Sequence, residues 1–429
     1  MLFEHITILD KDLQVQGPVF VGIKEDRIDY IGKEKPQADY GETYNGKGKL
    51  LMPGFVNAHA HSPMTLMRGY GENMVLQDWL EKRIFPFEDQ MDGRIAYNAT
   101  LLAMAESLRA GIVSSNDMYF FCDDMAKAIL ESGIKSNLSR SIVAFADGPL
   151  RAQQNFQESL ELFRQYHGAG NGRLLIDMSL HAEYTSLPRT ALELAEETKA
   201  LGARMHVHVS ETKFEHEGCK SRHGKTPARY LADLGLFDSP ATAAHCVWAE
   251  PEDIAIFAEK GVSVASCPMS NAKLASGVCN IREMNRLGVN VALGTDSVAS
   301  NNSLNMLEEI KLFSVIHKVT NLDPTLITPE QSILAATRNG FLSQGRTDCG
   351  VMEVGKKADL VVLDISGPHM TPVHNLKNNL VYSADNGDVV LTMVDGKVLY
   401  KDGEYTTIDV EKVKAEAAKD VETILGKLS

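Results

Sequence analysis

Short apolar runs alternate with helix-spaced amphipathic stretches through the middle of the chain. Eight runs read as strands, at 50–57, 111–117, 135–145, 174–181, 203–209, 242–247, 261–267 and 289–295. Between most of them the apolar positions recur at helical spacing, as in 95–110, 154–166, 189–201 and 251–260. Strand–helix alternation implies a parallel sheet. Eight such units predict an α/β fold built on a (β/α)8 TIM barrel. An open doubly wound sheet has the same periodicity, but no GxGxxG follows the first strand, which weakens a nucleotide-binding version of it.

The two ends of the chain carry a different pattern. Residues 6–9, 19–23 and 27–31 are β-branched runs between charged turns, and similar runs return at 358–364 and 389–405. Asp395-Gly396 and Asp402-Gly403 supply turn chemistry. Neither end has enough strands to stand alone, so the two together predict a small β-sandwich domain. The expected division is 1–50 and 350–429 for that domain and 51–349 for the barrel. Val410, Val413, Ala417, Val421, Ile424 and Leu428 fall on one face of a terminal helix over 409–428, an apolar seam that a homo-oligomer would use.

Composition narrows the partners. The 429 residues carry a formal charge of −14, which argues against nucleic acid or an anionic membrane as the main partner. Six irregularly spaced cysteines without a CxxC pair read as free thiols in a reducing compartment. The first residues lack a secretory pattern, and no stretch of 18 apolar residues occurs, so the expected location is the cytoplasm.

Chemistry collects at the C-terminal ends of the predicted strands, the face on which a barrel builds its active site. The first strand ends in His59-x-His61, two imidazoles on one side of a strand, able to grip one metal ion. The fifth carries His206 and His208 and is followed by Glu211; the sixth ends at His245 and the eighth at Asp296. Each alone has a bland reading: a capping Asp, a core His, a solvated Glu. Together they offer the nitrogen and oxygen ligands that zinc prefers, and that iron(II) or manganese accept.

The segments PGFVNAHAHSPMTLMRG (53–69), HVSET (208–212), AAHCV (243–247), SCPMSNAKLASG (266–277), LGTDSVASNNSLN (293–305) and KADLVVLD (357–364) resemble the amidohydrolase superfamily, and within it the 5′-methylthioadenosine/S-adenosylhomocysteine deaminase branch. The resemblance runs nearly end to end. It implies His59, His61, His208 and Asp296 as metal ligands, and Glu211, His245 and Asp296 as the proton-handling groups. His206, one pleat deeper, is read as a core or supporting residue. Binuclear members carry a carbamylated lysine on strand four; here LLIDMSLHAEY offers His181 and no lysine, so one divalent metal is expected.

The resemblance also implies a small-molecule nucleoside substrate. Glu88 would accept the ribose hydroxyls, His181 would contact the nucleoside, and Glu211 and Asp296 would face the purine. Arg140 and Arg151 would hold the amino-acid tail of S-adenosylhomocysteine through a guanidinium–carboxylate contact, although either arginine could equally form a surface ion pair. The insertion 62–94 is long enough for a lid. Met64, Met67 and Met74 read as packing, and Ser270 and Asn271 as groups that hold others in place. The same machinery also serves guanine or pterin deaminases and s-triazine chlorohydrolases, for which Glu88 has no evident task. A non-catalytic scaffold is disfavoured because the full set of ligands and proton carriers is present.

Overall fold

The structure is a computed structural model that describes residues 1–428, the side chain of Leu76 apart. Five strands open the chain: β1 (Leu2–Leu9), β2 (Val15–Lys24), β3 (Arg27–Gly32), β4 (Thr43–Asn45) and β5 (Lys49–Pro53). Nine more build the centre: β6 (Phe55–Ala60), β7 (Ile112–Tyr119), β8 (Lys135–Ile142), β9 (Leu174–Ile176), β10 (Met178–Leu180), β11 (Met205–Val209), β12 (Ala241–His245), β13 (Ser263–Ser266) and β14 (Val291–Leu293). The last four are β15 (Leu360–Asp364), β16 (Val389–Val394), β17 (Lys397–Lys401) and β18 (Glu404–Tyr405).

The central strands pair in parallel in the order β6-β7-β8-β10-β11-β12-β13-β14, with β9 also on β8. A bridge between Ala60 and Asp296 joins the first strand to the turn after the last, which closes the barrel. Closure needs a small residue: a Cβ on Gly294 would stand 2.8 Å from the backbone nitrogen of His59. Ala58, Ala265 and Ala292, all fully buried, form a cluster of their own.

The outer strands form one sheet, β18-β17-β16-β15-β5-β1-β2-β3, with β4 beside β1. It has its own core of Phe3, Ile23, Ile28, Leu51, Leu360 and Met393, and is the small β-domain expected from both termini, its strands joined in one continuous sheet. The first expected strand, 50–57, is two strands in two sheets. β5 pairs with β1 and β15, β6 pairs with β7, and the chain crosses at Gly54, where a Cβ would overlap Val113. The boundary expected at residue 50 thus falls inside β5.

A second expectation is also corrected. The terminal helix, Val410–Leu428, lies on the barrel helix Gly93–Arg109. Its Asp420, 1 % exposed, accepts from Arg94 Nη2 at 2.6 Å and Asn98 Nδ2 at 3.0 Å. Val413, Ala417 and Ile424 are buried there, so the seam expected for a second copy is already covered. Among the described residues no helix is long and apolar enough to cross a membrane.

Candidate active site

The polar ends of β6, β11 and β12 and the turn after β14 converge at the C-terminal mouth of the barrel. Alternation along β6 points His59 and His61 to one side, and their rings stand edge to face at 4.8 Å. Each imidazole is fixed through Nδ1. His61 Nδ1 donates to the Met118 carbonyl at 2.5 Å, and His208 Nδ1 donates to the His181 carbonyl at 2.7 Å. His59 Nδ1 lies 3.0 Å from His206 Nε2. A ring whose Nδ1–H is committed in this way presents Nε2 as a lone pair. His206 therefore supports His59 from one pleat deeper and does not join the cluster itself.

The Nε2 atoms meet. His61 Nε2 is 3.4 Å from His208 Nε2 and 3.3 Å from Asp296 Oδ1, and His59 Nε2 is 3.6 Å from the same oxygen. Ligands about 2.1 Å from one tetrahedral ion stand about 3.4 Å apart, so this donor set fits a single divalent metal. His59 gives the clearest sign: its Nε2 is buried and has no hydrogen-bond partner. Burial holds the imidazoles of His59 and His208 well below the usual histidine range, and neighbouring histidines add to this. Both are thereby kept toward the neutral form that binds metal, whereas at His61 burial is outweighed by the Asp296 carboxylate, which raises the imidazole to about 9.

The proton-handling groups lie against this cluster. His245 Nδ1 lies 3.0 Å from Asn271 Oδ1, and its Nε2 is 3.9 Å from Glu211 Oε2. Asp296 Oδ2 accepts from the Ser270 hydroxyl at 2.5 Å and from Ser300 at 3.0 Å, so Ser270 and Asn271 both hold a site residue in place. Burial raises the Glu211 carboxyl above the usual range, with Asp296 nearby adding to the shift and His245 opposing it. Ser210, His245 and Asp296 all take left-handed backbone angles, with φ of 49°, 69° and 59°. Such angles are costly for residues with a Cβ and cluster at functional sites.

Glu211 owes its position to Glu215, a residue that the sequence did not single out. Both oxygens of this buried carboxylate accept backbone N–H groups, from Ser210 at 2.9 Å and Glu211 at 2.7 Å. They pin the turn that swings Glu211 into the mouth. Glu215→Ala is expected to lower kcat by about tenfold or more with bound metal unchanged; an unchanged kcat, measured on metal-quantified protein, would show that the turn holds without it.

The cavity above the cluster is about 310 Å³ and mostly apolar, walled by Trp79, Leu80, Ile84, Phe85, Phe120 and Leu274. His61, His181, His208, Glu211, His245 and Asp296 line its floor and sides, and Glu88 stands in its wall. The insertion expected to form a lid supplies that wall as a run of short helical segments ending at Phe85–Glu88. Tyr119 donates its hydroxyl to Glu88 Oε1 at 2.6 Å. Burial raises the Glu88 carboxyl to about 7 against that hydrogen bond.

Residues 50–399 match the model of the Amidohydrolase family. The chain belongs to the amidohydrolase family. A 5-methylthioadenosine/S-adenosylhomocysteine deaminase of Moorella thermoacetica is 38% identical over 423 residues, 98% of each chain. A 5′-deoxyadenosine deaminase of Methanosarcina mazei is 39% identical over 426 residues, 99% of this chain and 98% of its own. The crystal structure of an adenosine deaminase from Xanthomonas campestris with bound zinc superposes with a TM-score of 0.92 at 31% identity, covering 99% of this chain and 98% of that one.

In this amidohydrolase neither arginine lines the catalytic cavity. Arg151 does not line the cavity; its side chain is 70% exposed and makes a bidentate pair with Glu197 at 2.6 and 2.9 Å. Here the surface-ion-pair alternative is the one observed. Arg140 lines a neighbouring cavity and is paired with Glu158 at 2.8 Å. Besides Glu215, sequence reasoning passed over Tyr119 and Met118, the last two residues of β7, which hold Glu88 and His61. Their position at a strand end on the catalytic face was the available signal.

Proposed function

We propose that the protein is a metal-dependent hydrolytic deaminase that converts 5′-substituted adenosines to the corresponding inosine analogues and ammonia. The substrate class includes S-adenosylhomocysteine, 5′-methylthioadenosine, adenosine and 5′-deoxyadenosine. The observation that carries it is the pairing of a four-donor metal cluster with Glu88, a buried carboxylate in the wall of the same cavity. A free base or a triazine gives that carboxylate no partner, whereas a ribose diol offers it two hydroxyls. Relatives of nearly the same length named for adenosine-type substrates support the reading.

His59, His61, His208 and Asp296 would hold one divalent metal, zinc by the donor set. Such an ion lowers the pKa of a bound water to about 7, which makes a nucleophile available at neutral pH. The chain's own groups manage the protons. Asp296 and His245 accept and orient the proton that leaves the water. Glu211, with a raised pKa, gives a proton to the ring nitrogen beside C6, which makes that carbon electrophilic. The water oxygen bonds to C6, Asp296 passes the proton taken from water to the exocyclic amine, the C6–N bond breaks so that NH3 leaves, and the oxygen's remaining proton returns to Glu211. His181 and Glu88 fix the nucleoside, and the apolar wall keeps bulk water out. The six buried free thiols support a cytoplasmic setting.

Initial rates on adenosine, 5′-deoxyadenosine, methylthioadenosine, guanine and a chlorotriazine test the reading, since turnover of the last two alone would overturn it. Glu88 adds a pH signature. Its carboxyl is raised to about 7, and only the ionised form accepts two hydroxyl hydrogens. KM for the nucleoside is therefore expected to rise as pH falls through that region, and Glu88→Gln to raise KM and flatten the dependence. A KM profile identical in the variant would remove Glu88 from ribose binding.

A further inference from the structure

The catalytic cavity shares Phe85, Glu88 and Phe120 as lining with a second, adjacent cavity of about 680 Å³. With the purine at the metal cluster and the ribose diol on Glu88, the 5′ carbon has this cavity as its way out. The inference therefore rests on the nucleoside reading above. Arg140 is the one basic residue in its lining among the described residues; the acidic ones are Glu88, Asp89, Asp123, Asp124 and Glu158.

The guanidinium of Arg140 is already engaged through Nε and Nη1. Its Nε donates to Glu158 Oε2 at 2.8 Å, its Nη1 donates to the Ser141 carbonyl at 2.6 Å, and its Cζ lies 5.1 Å from the centroid of the Phe120 ring. The arginine side chain is 16% exposed and that of Glu158 43%, so the pair is sheltered on the arginine side only. Glu158 is steadied in turn by Gln154, whose Nε2 donates to Oε1 at 3.1 Å. Arg151, held by Glu197 on the outer surface, brings no second positive charge to this cavity.

We propose that Glu158 is a specificity-determining residue: by holding Arg140 in an ion pair it cancels the positive charge at the 5′ end of the nucleoside, so that neutral 5′ substituents are preferred to anionic ones. An incoming carboxylate meets a guanidinium whose charge Glu158 already balances and lies near Asp123 and Asp124, where like charges oppose it. A methylthio or methyl group meets Phe85, Phe120 and Met91 at no such cost.

The test compares kcat/KM for methylthioadenosine with that for 5′-(2-carboxyethylthio)-5′-deoxyadenosine and its 2-aminoethylthio counterpart, on metal-loaded enzyme. In the wild type, the neutral and cationic substrates are expected to exceed the anionic one by on the order of tenfold. Glu158→Gln frees the guanidinium and is expected to raise the anionic-to-neutral ratio by on the order of tenfold. Adding Arg140→Gln should abolish that gain. A wild-type preference for the carboxylate, an unchanged ratio in Glu158→Gln, or a gain that survives loss of Arg140 would each overturn the proposal. The wild-type comparison needs no variant and stands even if Glu158→Gln folds poorly. Failure of methylthioadenosine to react at all would instead sink the nucleoside reading.

Discussion

His208→Ala and Asp296→Ala are each expected to remove bound metal and to lower deamination by roughly 10⁴-fold or more, because the nucleophile loses the ion that lowers the pKa of water from 15.7 to about 7. The expectation follows from the geometry. Asp296 Oδ1 is the atom that approaches both His61 Nε2 at 3.3 Å and His59 Nε2 at 3.6 Å. His208 Nε2 closes the other side at 3.4 Å from His61. Removing either takes one of the four donors from the cluster and opens one side of it, which weakens the hold on the ion. Metal content per chain, measured beside circular dichroism to show that the barrel persists, is the readout. A variant that kept stoichiometric metal and activity would remove that residue from the ligand set.

Glu211→Gln should separate metal binding from proton transfer. Glu211 lies 3.9 Å from His245 and outside the Nε2–Oδ1 cluster, so the variant should retain wild-type metal. The amide cannot take or give the proton, and kcat is expected to fall by about 10²–10⁴-fold. Because Glu215 accepts the backbone N–H of Glu211 rather than its side chain, the turn should keep its shape. Near-wild-type kcat in the variant would contradict the proton-shuttle role, and loss of metal would mean that Glu211 helps to hold it.

Much of this site was legible in the sequence because strands have a period of two. The two-residue spacing of His59 and His61, and of His206 and His208, places each pair on a shared face, and the barrel rule puts them at one mouth. What escaped depended on contacts between distant segments. Residues 50–57 read as one strand because apolar residues flank Pro53-Gly54 on both sides; that dipeptide is a turn signal, and Gly54 is the crossing between two sheets. Glu215 sits in KFEHEG, a charged segment that reads as a solvated helix, yet the fold buries its carboxylate under two backbone amides. The apolar face of 409–428 is real, but sequence could not say that the barrel helix covers it. For Arg140 and Arg151 the residue type suggested a carboxylate partner. The partners turn out to be Glu158 and Glu197 of the chain itself, because a guanidinium pairs equally well with an internal carboxylate.

The most direct measurement follows the adenine-to-hypoxanthine absorbance change and ammonia release on 5′-deoxyadenosine and methylthioadenosine, with metal quantified on the same sample before chelation, after it, and after zinc is restored. The account predicts one metal per chain, ammonia formed in equal amount to the inosine-type product, activity lost with the metal and regained with it. Protein that holds stoichiometric metal yet deaminates no 5′-modified adenosine would contradict it.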